Sequence, residues 1–377
     1  MHGMSHIAGR CDDKFSAVAD AFEAAARQRP AGMAIAVCHR GIVKVDLWSG
    51  LADEKTGKPW DKTTLVCMMS VAKGVSALCL HLLSDRGIID LDAPVHRYWP
   101  EFASHEKDSI LVRHVLDHSA GLPFVDDPAP GLGALDQDAM ERALERAVPI
   151  AAAGQVRGYH PVTMGYLAAA IVRRMAGVSI GEFFRREIAA ARDLEYWIGL
   201  PKEQHERCAT ICGDVTGTIF GMPDREPDSV LGRAMRPVTH HLLNLPEFRS
   251  IEVPAINGHG SAAAIARLYG LLAYQDPEPI LSNAAIERAT TLQWSGVEQT
   301  MGHFRNMAMG FILDADNIPM GPGPRSFGHP GAGGSIGFAD PRRGLGVCFT
   351  TNTLYAGHGV NPQMASVCEA VFGACEE

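Results

Sequence analysis

The sequence lacks the long apolar run that a membrane span or a secretory signal requires. A membrane-spanning helix needs about 20 consecutive apolar residues, whereas the longest helical-looking apolar run, residues 167–172, is ended by Arg173 and Arg174. The N-terminal stretch also has no apolar segment of the roughly 7 to 15 residues found in signal peptides. We therefore expect a soluble protein without a membrane partner, located in the cytoplasm.

The sequence contains no C-x-x-C pair, although it has 9 cysteines. That number is odd, and most of the cysteines lie in or beside apolar runs. This pattern indicates reduced, packed thiols of a cytoplasmic protein rather than a disulfide framework. Cys208 and Cys212 could share one helix face, but without further ligands they do not predict a metal site.

Positive charge is scarce, with 34 Lys and Arg against 43 Asp and Glu and a formal net charge of −9. Such a chain offers no basic field to hold a phosphate backbone, so we expect no nucleic-acid partner. No P-loop occurs, and no complete G-x-G-x-x-G follows a predicted strand, so the sequence predicts no nucleotide cofactor. H-E-x-x-H is absent as well, and we interpret His114 and His118 on one predicted helix as packing and hydrogen-bonding residues rather than metal ligands.

The composition that remains is that of a large globular protein. Of the 377 residues, 46% are hydrophobic and 20% are charged. These fractions are ordinary for soluble domains and exclude fibrous and disordered classes. The length allows two or three domains, or one large body with an insertion.

Periodicity predicts helices in the middle of the chain and strands toward both ends. The predicted helices are 15–27, 71–87, 112–118, 137–147, 162–175, 180–191, 262–273 and 362–372, and the predicted strands are 33–38, 42–48, 307–313, 335–339 and 346–351. We therefore predict an α+β fold in which both chain ends form one antiparallel sheet flanked by helices. The expected domains are an α/β sheet domain (1–87 and 256–377) and an inserted helical domain (88–255).

The most informative short motif is the S-x-x-K formed by Ser70 and Lys73. An apolar run delivers Ser70 to the first turn of the strongest predicted helix, and residues three apart share a helix face. The Lys73 amine can therefore reach the Ser70 hydroxyl, while the helix N-terminus offers N–H groups to a developing oxyanion. The alternative is an N-cap serine beside a solvated lysine.

A second S-x-x-K, Ser104 and Lys107, lies in a charged stretch with no helix behind it, and we interpret it as a solvated loop. Elsewhere, Tyr159 lies in a loop just before a predicted helix. The glycine-rich segment F-G-H-P-G-A-G-G-S at 327–335 leads into a strand. Glycines there would let a substrate lie against the strand backbone.

These segments occur together with G-I-I-D-L-D-A-P-V at 87–95, Y-W-P-E-F at 98–102 and V-R-H-V-L-D-H-S-A-G-L-P at 112–123. In this order the set resembles the serine β-lactamase and penicillin-binding-protein superfamily, most closely its class C-like esterase branch, the family VIII carboxylesterases. The resemblance spans most of the chain and implies a β-lactamase-like fold. It is far more specific than any single motif.

The resemblance also implies roles for individual residues. Ser70 would be the nucleophile, Lys73 and Tyr159 would handle its proton jointly, and the backbone N–H groups of Ser70 and Ala332 would form an oxyanion hole. Which of Lys73 and Tyr159 takes the proton stays open. The residues expected to contact the substrate are His160, Phe124, Asn257, His329 and Gly331.

The sequence departs from the β-lactamase pattern at two places. Tyr159-His160-Pro161 stands where β-lactamases have Y-x-N, and His329-Pro330-Gly331 stands where they have K-[ST]-G. A largely neutral imidazole holds a carboxylate less well than an ammonium does. Both departures favour neutral esters over carboxylate-bearing β-lactams. A literal K-T-G at 55–57 lies in a polar turn, and we assign it no role.

Two G-x-S-x-G strings suggest a different hydrolase class. Ser179 in the first is better explained as an N-cap in a capping box with Glu182. Ser335 in the second is followed by Asp340 and His358 in the α/β-hydrolase order, but a strand follows it where a nucleophile elbow needs a helix.

We therefore predict a serine hydrolase that cleaves small carboxylic esters through an acyl-enzyme, with weak or no β-lactam hydrolysis and without a cofactor or metal. The alternatives are a β-lactamase or D-amino peptide hydrolase, which shares the nucleophile, and a non-catalytic scaffold. The expected partner is a small-molecule ester, and the oligomeric state is unknown.

Overall fold

The computed structural model describes residues 7–28, 32–126, 131–212, 226, 228–238, 240–274, 277–321, 325–354 and 362–375. The helices are α1 (Ser16–Gln28), α2 (Val71–Asp85), α3 (Val112–Leu116), α4 (Gln137–Arg146), α5 (Thr163–Ala176), α6 (Ile180–Phe184), α7 (Val230–Met235), α8 (Pro246–Ser250), α9 (Ala262–Ala273), α10 (Asn283–Thr290) and α11 (Pro362–Gly373). The strands of the first part of the chain are β1 (Ala8–Cys11), β2 (Met33–His39), β3 (Ile42–Ser49), β4 (Leu51–Asp53), β5 (Lys58–Pro59), β6 (Val66–Cys67) and β7 (Tyr196–Ile198). They are followed by β8 (Gly258–Gly260), β9 (Trp294–Val297), β10 (Phe304–Met307), β11 (Ile312–Leu313), β12 (Phe327–Pro330), β13 (Ile336–Asp340) and β14 (Leu345–Thr351).

Both ends of the chain contribute to one large sheet. Among the described residues it has nine strands in the order β1-β3-β2-β14-β13-β12-β11-β10-β9. All neighbours are antiparallel, and β14 pairs with β2 from Leu345 opposite His39 to Thr351 opposite Met33. The predicted α+β fold, with an antiparallel sheet flanked by helices, is confirmed.

The central strands are apolar on both faces because helices cover both. Successive side chains of β2 point to opposite sides. The large ones, Met33, Ile35 and Val37, belong to the core that includes α1 and α11, and the small ones, Ala34, Ala36 and Cys38, belong to the core that includes α9. The small side chains let α9 lie close to the sheet.

A glycine on the neighbouring strand shows how close this approach is. A Cβ atom at Gly346 of β14 would lie only 2.1 Å from the carbonyl oxygen of Ala266 in α9. No larger residue fits at this position without moving α9.

The middle of the chain contributes helices rather than strands to this arrangement. Within the described residues of 88–255, no strand joins the nine-stranded sheet, and β7 pairs instead with β8 in a small sheet of order β6-β8-β7. Helix α5 packs against α2, which begins directly after Ser70. The division into domains at 88 and 255 stays a prediction.

Some predicted elements have different boundaries. The single strand predicted at 307–313 is two strands, β10 and β11, because Gly310 with φ of 82° turns the chain between them. The helix predicted at 180–191 ends as α6 at Phe184 and continues as a π-helical turn. Strands β1, β7, β8 and β9 were missed because each has only three or four residues and little alternation.

The cysteines are packed thiols, as predicted. None of the 9 cysteines forms a disulfide, and Cys38, Cys67, Cys79, Cys208, Cys348 and Cys368 are buried. Over the described ranges, no helix has the length and apolar character to cross a membrane.

Candidate active site

Ser70 lies between β6 and the first residue of α2, at a point where the backbone changes direction sharply. Met69 before it has φ of 51°, in the left-handed region that side chains rarely adopt. Ser70 itself is already helical, and its side chain makes no capping hydrogen bond. Ser70 occupies the N-cap position of α2, as the alternative predicted, but its hydroxyl caps no N–H group and Lys73 is buried rather than solvated.

Lys73 is completely buried one turn along α2. Its Nζ atom lies 3.1 Å from Ser70 Oγ and donates to two main-chain carbonyls, Pro161 at 2.7 Å and Ala255 at 3.0 Å. Burial lowers the pKa of this lysine well below its ordinary value. An amine with a lowered pKa next to a hydroxyl can accept the hydroxyl proton.

Tyr159 completes this group. The Lys73 Nζ atom lies 4.9 Å from the centroid of the Tyr159 ring, and the Tyr159 hydroxyl lies 3.5 Å from Nε2 of His329. Burial raises the pKa of Tyr159, and a hydrogen bond to Ser70 opposes this shift. The structure thus brings Ser70, Lys73 and Tyr159 together, as the resemblance implied.

His329 reaches this group of residues from β12. The sequence predicted this segment only as the turn before a strand, but residues 327–330 form a strand themselves. Its Nδ1 atom lies 2.7 Å from the carbonyl oxygen of Pro330. Because a carbonyl can only accept, Nδ1 carries the proton and Nε2 presents a lone pair to Tyr159. Burial lowers the pKa of His329 well below its ordinary value, and the charge that Lys73 carries when it is protonated lowers it further. The imidazole is therefore neutral near pH 7.

The glycine-rich turn after β12 lies directly against the segment that leads to Ser70. A Cβ atom at Gly331 would lie 2.2 Å from the carbonyl oxygen of Met68, so only glycine fits this approach. Ala332 follows it and is partly buried. The N–H groups of Ser70 and Ala332 donate to no other described residue, which leaves both available to an oxyanion.

Two of the expected substrate-binding residues are engaged elsewhere. His160 Nδ1 donates to the carbonyl oxygen of Gly158 at 2.6 Å, and its Nε2 accepts from the N–H of Leu122 at 3.0 Å. Both ring nitrogens thus hold main chain, and burial lowers the pKa of His160 to about 4. His160 was expected to contact the substrate, but these bonds give its ring a structural role instead.

Asn257 requires the same correction. Its Oδ1 atom accepts from the N–H of Val253, and its Nδ2 atom donates to the carbonyls of Phe248 and Ile251, at distances of 2.5 to 2.9 Å. The side chain is fully buried and folds the loop before β8. It has no polar atom left for a substrate.

Phe124 lies on the loop that His160 and Thr163 hold through Leu122. The N–H of Leu122 bonds to His160, and its carbonyl accepts from the Thr163 hydroxyl at 2.6 Å. The Phe124 ring is covered by the guanidinium of Arg233, whose carbon lies 3.7 Å from the ring centroid. Contact between Phe124 and a substrate stays a prediction.

The second S-x-x-K differs from the first in geometry. Ser104 Oγ donates to the carbonyl of Glu145 rather than contacting Lys107. Lys107 is fully buried, contrary to the predicted solvated loop, because its Nζ atom donates to the carbonyls of Glu145 and Ala147 at the end of α4. This lysine caps a helix C-terminus.

The remaining rival motifs have structural explanations. Ser179 is the N-cap of α6, as predicted, because its Oγ atom accepts from the N–H of Glu182; its hydroxyl donates to the carboxylate of Glu252. Ser335 is buried with its hydroxyl 2.9 Å from that of Thr350, and a strand follows it. The third member of that rival set, His358, lies outside the described residues.

Other candidate sites also proved structural. The K-T-G at 55–57 lies in the exposed turn between β4 and β5. His114 Nδ1 and His118 Nδ1 each accept a backbone N–H, from Leu111 and His160 respectively. Across the part of the chain that the structure describes, no three His, Cys, Asp or Glu side chains gather to hold a metal.

Four contacts of this site were not predicted. The carbonyl oxygens of Pro161 and Ala255 hold Lys73, and no side-chain pattern signals a main-chain acceptor. The ring of His118 packs 4.7 Å from that of Tyr159, and the carboxylate of Glu298 accepts the Tyr159 N–H. His118 was predicted to be a packing and hydrogen-bonding residue, but its partner Tyr159 was not predicted.

The fold and the placement of Ser70 define a class, the hydrolases that use a serine on the β-lactamase fold. The family model described as Beta-lactamase matches residues 18–367. The chain therefore belongs to the beta-lactamase family.

Among its relatives, the chain is 32% identical over 373 residues to the esterase/beta-lactamase LipL of Mycobacterium tuberculosis, an alignment that covers 92% of this chain and 83% of LipL. A crystal structure of a family VIII carboxylesterase superposes with a TM-score of 0.90 at 32% identity and covers 98% of this chain and 100% of that one. A penicillin-binding-protein homologue from Caulobacter crescentus has the same TM-score at 34% identity, with coverage of 98% of this chain and 100% of that one.

Proposed function

We propose that this protein is a carboxylesterase that forms an acyl-enzyme on Ser70 and cleaves small neutral esters. The observation that carries the proposal is the 3.1 Å contact between the Ser70 hydroxyl and the amine of Lys73. Lys73 is fully buried, and burial is the cause of its lowered pKa. A neutral amine in this position is a base for the serine proton.

The partners of Lys73 support its role as the base in acylation. In the neutral amine, two N–H bonds donate to the carbonyls of Pro161 and Ala255. The lone pair then faces the Ser70 hydroxyl. As Oγ bonds to the ester carbonyl carbon, its proton passes to Nζ, and the carbonyl oxygen becomes an oxyanion that the N–H groups of Ser70 and Ala332 can bind.

The second half of the acylation step releases the alcohol. The ester C–O bond breaks, and the leaving oxygen takes a proton, which Lys73 supplies through the hydroxyl of Tyr159. Because its pKa is raised, Tyr159 is protonated near pH 7 and can pass on a proton in this way. Water then attacks the acyl carbon, the acid leaves, and Ser70 recovers its proton.

The neutral imidazole of His329 favours uncharged substrates. A charge-assisted hydrogen bond to a substrate carboxylate is about twice as strong as a neutral one, and His329 offers none at neutral pH. The amide that a Y-x-N motif would supply is absent because Pro161 takes that position. We therefore propose weak or no β-lactam hydrolysis.

A β-lactamase or D-amino peptide hydrolase is the second candidate, because the name of LipL combines esterase and beta-lactamase and the nucleophile would be the same. In both candidates the substrate is a small molecule.

The 9 unpaired thiols support a reducing location, and we propose the cytoplasm.

The test compares substrates and labels the nucleophile. Turnover of a series of p-nitrophenyl esters of increasing acyl length is measured beside a chromogenic cephalosporin. A fluorophosphonate probe followed by peptide mass spectrometry should modify Ser70 stoichiometrically, with Ser70→Ala as the control. Absence of labelling and of ester turnover in folded protein would leave a non-catalytic scaffold.

A further inference from the structure

Glu298 is a buried carboxylate that belongs to no predicted motif. It follows β9 in the turn that leads to β10, and its side chain has 0% exposure. Its two oxygens accept four backbone N–H groups: Oε2 from Tyr159 and Thr300, both at 2.9 Å, and Oε1 from Met301 at 2.8 Å and His303 at 3.4 Å. Three of these bonds lie within the turn itself, and the fourth reaches the loop that carries Tyr159.

The loop around Tyr159 is held through three consecutive N–H groups. Those of Gly158 and His160 donate to His118, to its carbonyl at 3.2 Å and its Nδ1 at 3.1 Å respectively. The N–H of Tyr159 donates to Glu298. His118 holds the loop from the segment after α3, and Glu298 holds it from the nine-stranded sheet.

Two further contacts show that the turn lies directly on this loop. The N–H of Gln299 donates to the carbonyl of Arg157 at 2.8 Å. A Cβ atom at Gly158 would lie 2.9 Å from Thr300 Oγ1. The nine-stranded sheet and the loop that carries Tyr159 therefore meet at Glu298. The Glu298 carboxylate joins them through its hydrogen bond with the Tyr159 N–H.

We propose that Glu298 is a positioning residue, which fixes the main chain of Tyr159 so that the tyrosine hydroxyl stays beside Ser70. The inference rests on the proposed function, because it assigns Glu298 a task only if Tyr159 handles a proton. A carboxylate suits this task since both of its oxygens accept. An amide would turn an NH₂ group toward N–H groups that need an acceptor.

The experiment is a double-mutant cycle with Glu298→Gln and Tyr159→Phe, each measured for kcat and KM on a short p-nitrophenyl ester. A displaced catalytic group costs about 10- to 100-fold in rate, so Glu298→Gln should lower kcat by about that factor and leave KM within about twofold. In the Tyr159→Phe background the same substitution should cost less than about twofold, because residues acting as a unit are non-additive.

Glu141→Gln is the matched control. Glu141 is also a buried carboxylate, but it is held by Arg173 and Arg174 on the outer part of α5. Its substitution should lower the thermal midpoint without changing kcat. An activity loss of the same size as that of Glu298→Gln would show that loosening any buried carboxylate suffices, and would overturn the proposal.

The remaining outcomes separate this inference from the proposed function. Unchanged kcat in Glu298→Gln, or an equal loss in both backgrounds, overturns the inference alone. Full activity of Tyr159→Phe overturns the proton role of Tyr159 and the inference with it. If Glu298→Gln does not fold, Glu298→Asp, which keeps the charge on a shorter side chain, takes its place in the cycle. Failure of both to fold assigns Glu298 to stability and overturns the positioning role.

Discussion

The main-chain oxygen of Pro161 accepts a hydrogen bond from Lys73 at 2.7 Å, so the loop that carries Tyr159 also holds the lysine. This bond does not depend on the side chain at position 161. The proline that replaces the asparagine of the Y-x-N motif therefore leaves the lysine anchored. The replacement removes the side-chain amide of a Y-x-N motif and keeps the main-chain bond to Lys73.

Replacement of Ser70 by alanine should abolish ester hydrolysis and leave the fold intact. The Ser70 side chain makes no capping bond, so alanine costs the helix little, while the nucleophile is lost. The measurement is steady-state turnover together with the thermal midpoint. Ser335→Ala is the control, because this buried serine contacts Thr350 rather than the site, and it should keep its activity. A folded, active Ser70→Ala protein would contradict the assignment.

Lys73→Ala and Tyr159→Phe should each lower kcat by orders of magnitude, and the double variant should be little worse than the worse single one. In the proposed mechanism the two side chains handle the Ser70 proton jointly, and groups that act as a unit show non-additive losses. The measurement is single-turnover acylation of each variant. Losses that multiply in the double variant would show that the two residues act independently.

The contact between Ser70 and Lys73 could be predicted from sequence because one local pattern contains both residues. Ser70 and Lys73 are one helical turn apart, and a helix places such residues on one face whatever the rest of the chain does. The short apolar runs at both chain ends likewise predicted the antiparallel sheet.

The surroundings of these two residues could not be predicted in the same way. Pro161 and Ala255 hold Lys73 through carbonyl oxygens, which every residue type possesses. Glu298 meets Tyr159 across 139 residues of chain, and no local spacing encodes such a contact. The predictions for Asn257, as a substrate contact, and for Lys107, as a solvated side chain, were wrong for the same reason. Their polar atoms bind main-chain carbonyls, and a sequence does not show such partners.

Lys107→Ala should destabilise the protein without changing its activity, in contrast to Lys73→Ala. The substitution removes the donor to the Ala147 carbonyl and one of the two donors to the Glu145 carbonyl, which keeps Ser104, and it removes the ammonium above the Phe102 ring. An unsatisfied buried polar group costs about 1 to 3 kcal/mol. Urea unfolding should show a loss of this size, with kcat on a short ester unchanged. Loss of activity in stably folded Lys107→Ala protein would contradict the structural role.

The acid limb of the pH profile should report the protonation of Lys73. The base must be neutral to accept a proton, so kcat/KM for an uncharged ester should fall as pH drops through the pKa of Lys73, which burial places well below its ordinary value. The profile is measured with p-nitrophenyl acetate, which does not ionise. The acid limb should persist in the His329→Gln variant. If it disappears in that variant, the titrating group is His329 rather than Lys73.

Introducing a lysine at position 329 should shift specificity toward substrates that carry a carboxylate. His329 is neutral, and an ammonium in its place adds a charge-assisted bond of about 1 to 3 kcal/mol. The ratio of kcat/KM for a cephalosporin to that for a neutral ester should therefore rise by about ten- to hundredfold in His329→Lys. The ratio is the proper measure, since any change in the basicity of Lys73 affects both substrates alike.

The charge of the new lysine makes this prediction specific. Position 329 is buried and close to Lys73, so the pKa of the introduced amine will also be lowered, and the gain should grow as pH falls and the amine is protonated. Added salt should change the gain little, because a buried charge pair is screened much less than an exposed one. His329→Gln, which has no charge, should show no gain at any pH. Efficient cephalosporin turnover by the wild-type protein would show that neither His329 nor Pro161 limits β-lactam use, and the esterase proposal would then yield to the β-lactamase one.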